Sequence, residues 1–198
     1  MAGALRSIFI VALAVVLGSC APPLRRHLRE ASVSGHSSGP AGAPVVIVQF
    51  GDYGCGPCAA LGRRLRGILE ERRSVRLVYH HCPARRHEAG REASLIALAA
   101  AEQGRFWEVH WLLVERGPVG EEGAARAAAE EVGIDPTLLD AAMSEGRHEA
   151  ALDRELALAD QLRIRGTPTT FVGGRRLEGT VSRRALLEAI DAALAAPR

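Results

Sequence analysis

A short apolar run leads directly into two cysteines and a helix, and this order restricts the fold more than any other feature. Val45–Phe50 is rich in β-branched residues and lies between Pro44 and Gly51, which is typical of a buried strand. The segment GDYGCGPC follows, and apolar residues then recur at helical spacing from Pro57 to about Arg72. A second apolar run, Val75–Tyr79, predicts another strand. Strand, helix and strand together predict a right-handed βαβ unit with parallel strands.

The remainder of the chain predicts a helical segment followed by a second part of the same sheet. Residues from Glu88 to about Arg165 are helical in pattern almost throughout, with glycine and proline breaks that indicate four or five short helices. Thr169–Val172 and Arg175–Glu178 flank Gly173-Gly174 and predict a hairpin, and a last helix is expected from about Ser182 to Ala195. We therefore expect an α/β fold over 44–195, with a helical insertion at about 85–165 between βαβ and ββα units.

The two cysteines of Cys55-Gly56-Pro57-Cys58 lie where the first strand gives way to its helix. A helix N-terminus offers unpaired N–H groups and the positive end of the dipole, and both favour a thiolate. Pro57 suits the first helical turn, and Cys58 lies within bonding reach of Cys55. This pattern predicts an exposed attacking sulfur and a less accessible resolving sulfur. A static disulfide or half of a zinc site is the alternative, but a zinc ribbon needs a second CxxC motif, which this sequence lacks.

Several motifs together resemble the DsbA-like branch of the thioredoxin superfamily. They are FGDYGCGPC after a strand, the helical segment opening near His87, the phrase EQGRFWEVHWLL, and GTPTTFVGG before a hairpin. The resemblance covers about residues 44–195 and implies a thioredoxin fold with an inserted helical domain. It also implies disulfide exchange with exported proteins and no dissociable cofactor. By this resemblance Cys55 is the nucleophile, Cys58 the resolving cysteine, and Pro168 a cis-proline that faces them after Thr167.

Two positions depart from that family's pattern. Relatives often have a buried acid six residues before the first cysteine, whereas this chain has Gln49, which forms hydrogen bonds but cannot ionise. Asp52 is three residues nearer, and we expect it to be more exposed. Gly56 and Pro57, which together with Thr167 and Gln49 are expected to support the active site, form the dipeptide of thioredoxin. Reduction potentials in this superfamily range from about −270 mV for thioredoxin to about −120 mV for DsbA. We therefore expect a reduction potential in the intermediate to more reducing part of this range.

The N-terminus predicts export. Residues 1–19 combine Arg6, the apolar run Ile8–Leu17 and two small residues, which is typical of a signal peptide and too short to span a bilayer. The segment ending at Cys20 resembles the bacterial lipobox, which implies lipidation of that cysteine. The alternative is a plain signal peptide. Residues 20–43 have no apolar period, so we predict a flexible tether in which His27 and His36 are solvated. These features predict a bacterial envelope or periplasmic protein that is anchored to a membrane by its lipid.

Charge and composition exclude other classes of protein. The 198 residues are 47% hydrophobic and 24% charged, which is typical of a folded globular domain and excludes wholesale disorder. The net charge is +2, and arginine alternates with glutamate along the helical stretches. A nucleic-acid-binding protein concentrates its positive charge in one patch or stripe, so the sequence indicates no nucleic-acid partner.

A third thiol follows the second strand in His80-His81-Cys82-Pro83. Parallel strands end at one edge of the sheet, so Cys82 is expected near the edge that carries Cys55. A small buried cysteine is the simplest interpretation. The alternatives are an auxiliary redox thiol or a Cu(I) or Zn site formed by Cys55, Cys58, Cys82 and His81. We expect His87 and His110 to be packing residues.

These observations predict a monomeric thiol–disulfide oxidoreductase. Its expected partners are exported protein substrates, a membrane redox partner that resets the dithiol, and the membrane itself. The direction of exchange stays open between oxidant, isomerase and reductant. The rival interpretation is a copper or zinc carrier, or a substrate-binding lipoprotein, that uses the same thiols.

Overall fold

The computed structural model describes residues 22–196, which form a mixed α/β fold. Its helices are α1 (Pro22–Ser34), α2 (Gly56–Glu71), α3 (Glu88–Glu102), α4 (Phe106–Arg116), α5 (Ala124–Glu131), α6 (Pro136–Ser144), α7 (Glu149–Gln161) and α8 (Arg183–Ala195). Its strands are β1 (His36–Ser38), β2 (Val45–Gly51), β3 (Val75–His81), β4 (Thr169–Val172) and β5 (Arg175–Glu178). The order confirms a βαβ unit and a ββα unit separated by a helical insertion, which consists of α3 to α7.

The five strands form one sheet in the order β1-β3-β2-β4-β5. Strands β2 and β3 are parallel, with Val48 opposite Val78, whereas β4 runs antiparallel to β2 and β5 antiparallel to β4. The parallel pair ends at a single edge of the sheet, at Gly51 and His81. The chain leaves β2 at this edge and enters the cysteine segment, so the central strand fixes where the two thiols lie.

The predicted hairpin turn is present between β4 and β5. Gly173 and Gly174 both have positive φ angles, of 55° and 90°, as a two-residue turn of this kind requires. A Cβ atom at Gly173 would also lie 2.5 Å from the side chain of Ala193, so α8 packs closely against this turn. Glycine is therefore required at Gly173 both by backbone conformation and by space.

Three apolar clusters stabilise the fold. One lies between the sheet and helices α2 and α8, and includes Ile47, Leu65, Leu77 and Ile190. A second covers the opposite face, where Ala31 of α1, Leu158 of α7 and Leu162 just after α7 pack against Val48, Phe50 and Phe171. The third is the core of the helical insertion, with Ile96, Val109, Leu113 and Leu139, and it reaches the sheet at Tyr79. The sheet is thus covered on both faces, and the insertion packs beside the edge that carries the cysteine segment.

The prediction of a flexible tether is wrong for residues 22–38. Helix α1 packs on the sheet and on α7, and Ala31 is fully buried. Strand β1 pairs with β3 at the edge of the sheet. His36, predicted to be solvated, stacks on Phe106 with ring centroids 3.7 Å apart, and His27 is half-buried next to Glu30. The helix forms because Leu24, Leu28 and Ala31 recur at helical spacing and together cover apolar surface of the sheet.

The predicted signal peptide and the lipidation site at Cys20 lie outside the described residues. Within residues 22–196, no helix is both long and apolar enough to cross a membrane.

Candidate active site at the start of helix α2

Cys55 is the N-cap residue of α2, and its backbone is extended as the chain leaves the sheet. The Cys58 backbone N–H donates a hydrogen bond to the Cys55 sulfur over 3.3 Å. Pro57 lies in the first turn, where a missing N–H leaves no intrahelical hydrogen bond unmade. The Cys55 sulfur therefore lies at the positive end of the helix dipole and accepts an N–H of the first turn, a position in which cysteines serve as nucleophiles.

Cys58 lies one turn along the same face and is the more deeply buried of the two. Its exposed fraction is 6%, against 9% for Cys55, so the prediction of an openly exposed attacking sulfur is wrong. Burial raises the pKa of the Cys58 thiol, and a hydrogen bond with Cys55 raises that pKa further. Both thiols are free in this structure. The arrangement thus combines one sulfur that accepts an N–H at the start of a helix with a second, more deeply buried sulfur that stays protonated.

Thr167 and Pro168 approach the thiols from the other half of the domain. The peptide bond between them is cis, as the family resemblance implies. The Cys55 sulfur lies 3.5 Å from the Thr167 carbonyl oxygen, to which its thiol donates a hydrogen bond. This approach follows from the sheet, because β4 begins at Thr169 and pairs with β2, the strand that leads to Cys55.

Asp52 is buried, with an exposed fraction of 1%, which contradicts the expectation that it is exposed. Its carboxylate accepts hydrogen bonds from the backbone N–H groups of Gly54 and Ala84, over 2.8 Å and 3.1 Å. It also contacts the His87 Nδ1 over 2.5 Å, so His87 is a polar partner and not simply a packing residue. Glycine at position 90 leaves room for the Asp52 carboxylate beside α3, because a Cβ atom there would lie 2.5 Å from Asp52 Oδ1. One carboxylate therefore joins the cysteine segment to the start of α3.

Sequence reasoning missed this function of Asp52 because its partners come from a distant segment. Its place directly after a strand and before the cysteines was visible, but the folding of the β3–α3 connection over it was not. Gln49 is buried on β2, as expected of a residue in a central strand, and it lines a small cavity that also borders Cys58.

The third thiol lies close to the cysteine segment, as the strand order predicts. The Cys82 N–H donates to the Gly51 carbonyl oxygen over 2.7 Å, and burial raises the pKa of the Cys82 thiol to about 11. His81 is fully buried, and burial lowers its pKa to about 4. Among residues 22–196, no group of three or more His, Cys, Asp or Glu side chains is arranged to hold a metal ion. The predicted Cu or Zn set therefore does not assemble.

A polar group of aromatic and imidazole side chains lies behind the thiols, where the insertion meets the sheet. The Tyr53 hydroxyl and His110 Nδ1 are hydrogen-bonded over 2.9 Å, and both residues are buried. The Glu155 carboxylate of α7 accepts the His81 backbone N–H over 2.7 Å. The sequence predicted His110 as a packing residue, and it does pack among aromatic rings, but its hydrogen bond with Tyr53 was not foreseen.

Comparisons with known proteins agree with this geometry. Residues 31–192 match a family profile described as thioredoxin. The solved structure of a thioredoxin-like oxidoreductase from Silicibacter pomeroyi has 29% sequence identity, covers 87% of this chain and 99% of its own, and superposes with a TM-score of 0.78. The thiol–disulfide exchange protein alpha-DsbA2 from Wolbachia pipientis has the same fold, with 18% identity, coverage of 86% and 93%, and a TM-score of 0.76.

The curated relatives that this chain matches have a name that does not refer to thioredoxin. The chain is 34% identical over 164 residues to a protein of Salinispora tropica named Na(+)/H(+) antiporter NhaA 3. The aligned segment covers 82% of this chain but only 25% of that protein. The chain thus spans about a quarter of the length of the curated relatives it matches. The profile match shows that the chain belongs to the thioredoxin family, and the sheet order and the inserted helices agree with it.

Proposed function

We propose that the protein is a thiol–disulfide oxidoreductase that acts on exported proteins through Cys55 and Cys58. The observation that carries this proposal is the position of the Cys55 sulfur at the N-cap of α2, where it accepts the Cys58 N–H. A thiolate, and not a thiol, is the attacking species in disulfide exchange, and this position favours the thiolate. The family membership of the chain supports the same conclusion.

The reaction proceeds through a mixed disulfide. The Cys55 thiolate attacks one sulfur of a substrate disulfide, a new S–S bond forms, and the other substrate sulfur leaves as a thiolate that takes up a proton. Cys58 then loses its proton and attacks the Cys55 sulfur, which releases the reduced substrate and leaves a Cys55–Cys58 disulfide. Two electrons pass to the substrate, and in the oxidising direction the same steps run in reverse.

The difference between the two thiols supports this order of events. Burial raises the pKa of the Cys58 thiol, so Cys58 stays protonated while Cys55 attacks. A groove of about 650 Å³ opens beside Gly54 and is lined by Arg86, Glu92 and Val119, which leaves room for a polypeptide next to the cysteine segment. The cis-proline segment borders the Cys55 sulfur at Thr167.

Trapping of the mixed disulfide tests the proposal. In a Cys58→Ser variant the second step cannot occur, so exported proteins should accumulate in disulfide-linked complexes with Cys55 that non-reducing gels resolve. Cys55→Ser should trap none, and Cys82→Ser, the matched control, should behave like the parent. A Cys58→Ser variant that captures no more protein than Cys55→Ser would contradict the proposal.

We further propose that the protein works in the bacterial envelope and is held to a membrane through a lipid on Cys20. The basic residue, apolar run and lipobox-like ending of residues 1–20 support this location. Replacement of Cys20 by serine should move the protein from the membrane fraction to the soluble envelope fraction, whereas Cys82→Ser should not. If the parent itself fractionates as soluble, the lipid anchor is wrong and a plain signal peptide remains.

A further inference from the structure

The second step of the proposed reaction requires a route for the Cys58 proton. Burial raises the pKa of this thiol, so the proton does not leave readily by itself. Gln49 takes the position at which relatives often carry an acid, and an amide cannot accept the proton at neutral pH. Another group beside Cys58 is therefore needed, and this inference rests on the proposed function.

A cavity lies directly beside Cys58, and its polar lining is incompletely hydrogen-bonded. Its volume is about 10 Å³, which is room for one water molecule. Gln49 and His110 both line it together with Cys58, Tyr53, Tyr79 and Asp52, whose two carboxylate oxygens already accept N–H groups of Gly54 and Ala84. Gln49 Oε1 and His110 Nε2 are buried and have no hydrogen-bond partner among residues 22–196. Buried polar atoms without partners are costly, and these two are the atoms that a water entering the cavity would bond.

His110 has the properties of a temporary proton acceptor. Its exposed fraction is 1%, and the Tyr53 hydroxyl fixes the ring through Nδ1 at 2.9 Å. Burial lowers the pKa of His110 well below its ordinary value, so the imidazole is neutral at pH 7 and its Nε2 is free to accept a hydrogen bond. Facing it are a small number of titratable groups: Tyr53, Tyr79, His81, His36 and, across the cavity, Cys58 and Asp52.

We propose that His110, through a water in this cavity, accepts the Cys58 proton during resolution of the mixed disulfide. The Cys58 proton passes to the water, and the water passes a proton to His110 Nε2. The Cys58 sulfur then attacks the Cys55 sulfur, the bond between Cys55 and the substrate breaks, and the departing thiolate takes a proton from solvent. His110 afterwards returns its proton to water and becomes neutral again.

Reaction of the reduced full-length chain with one equivalent of 5,5′-dithiobis(2-nitrobenzoate) separates the two steps. In a Cys20→Ser/Cys82→Ser background only Cys55 and Cys58 remain. The first release of thionitrobenzoate reports attack by Cys55, and the second release reports resolution by Cys58. Failure of the first release would contradict the proposed function and the role of His110 with it. A normal first release followed by an unaltered second release in the variants below would contradict only the role of His110.

His110→Gln should slow the second release about tenfold or more at pH 7, as loss of general base catalysis does, and should move its pH profile to higher pH. The first release should stay within about twofold of the parent. Gln49→Glu in the same chain should restore the second release, because its carboxylate would line the same cavity. A merely structural role of His110 would slow the second release without moving its pH profile. His148→Gln, a half-buried histidine outside the cavity, is the matched control.

Tyr53→Phe, which removes the hydrogen bond that fixes the His110 ring, keeps the inference testable if His110→Gln does not fold. The second release should then slow, and the first release should stay within about twofold of the parent. The inference is overturned if the second release of either variant matches the parent from pH 5.5 to pH 9.

Discussion

A single buried carboxylate, that of Asp52, holds together three parts of the candidate site. It accepts the N–H groups of Gly54 and Ala84 and contacts the His87 ring, so it joins the cysteine segment to the loop before α3. Hydrogen bonds to a buried charge are among the stronger ones in proteins, and their loss leaves N–H groups unpaired. The position of Cys55 therefore depends on a residue that takes no part in the proposed exchange.

Asp52→Asn should lower the free energy of unfolding by about 2 kcal/mol, since the amide can accept fewer of these hydrogen bonds and carries no charge. Urea unfolding followed by circular dichroism measures this value. Asp153→Asn is the control, because Asp153 is exposed, and it should change the free energy of unfolding by less than about 0.5 kcal/mol. Equal effects of the two substitutions would show that Asp52 does not anchor the segment.

At the residue scale, the sequence identified the chemistry but not its surroundings. Cys55, Cys58 and the cis-proline at Pro168 could be found because they are local motifs or are implied by a family resemblance. The burial of Asp52 and the hydrogen bond between Tyr53 and His110 could not, because Ala84 lies 32 residues from Asp52 and His110 lies 57 residues from Tyr53. Contacts of that kind depend on how the insertion docks on the sheet, which no local pattern reports.

Helix α1 is the element in which sequence and structure differ most. Among the described side chains of this helix, the apolar face consists of Leu24, Leu28 and Ala31, and such a narrow stripe among arginines carries little signal. Tertiary contacts stabilise the helix instead: Ala31 is fully buried, and its carbonyl oxygen is hydrogen-bonded to His80 Nε2 over 2.8 Å. The longer elements β2, α2 and β3 were predictable because their apolar pattern is complete within each element.

Ala31→Glu should destabilise the domain by about 3 kcal/mol or more, because it places a charge against the sheet with no partner. The free energy of unfolding in urea is again the measurement. Val33→Glu serves as the matched control on the same helix, since Val33 is 74% exposed, and its effect should stay within about 0.5 kcal/mol. If both variants are as stable as the parent, α1 is a tether and does not belong to the domain.

Across the whole molecule, buried histidines lie where the helical insertion meets the sheet. His36, His81 and His110 contact one another through Tyr79 and Phe106, and burial lowers the pKa of each below its ordinary value. Because the unfolded chain binds protons more readily than the folded one, the domain loses stability as the pH falls below 6.5. For His81, whose pKa falls to about 4, this loss continues until about pH 4.

The free energy of unfolding should therefore fall by about 2 kcal/mol between pH 7.5 and pH 5 through His81 alone. Urea titrations at a series of pH values measure this dependence. His81→Phe should reduce the slope, because it removes the buried imidazole whose pKa is lowered to about 4. A stability that is constant over this pH range would mean that these histidines are not buried as neutral side chains.

The central claim is that Cys55 and Cys58 form a reversible redox pair, and equilibration in glutathione buffers followed by alkylation and mass spectrometry tests it most directly. We expect both sulfurs to lose reactivity together as the buffer becomes more oxidising, with a midpoint nearer to about −270 mV than to about −120 mV. Cys82 should remain open to alkylation over the same range. If Cys55 and Cys58 stay separately alkylatable at every buffer ratio, the account is wrong.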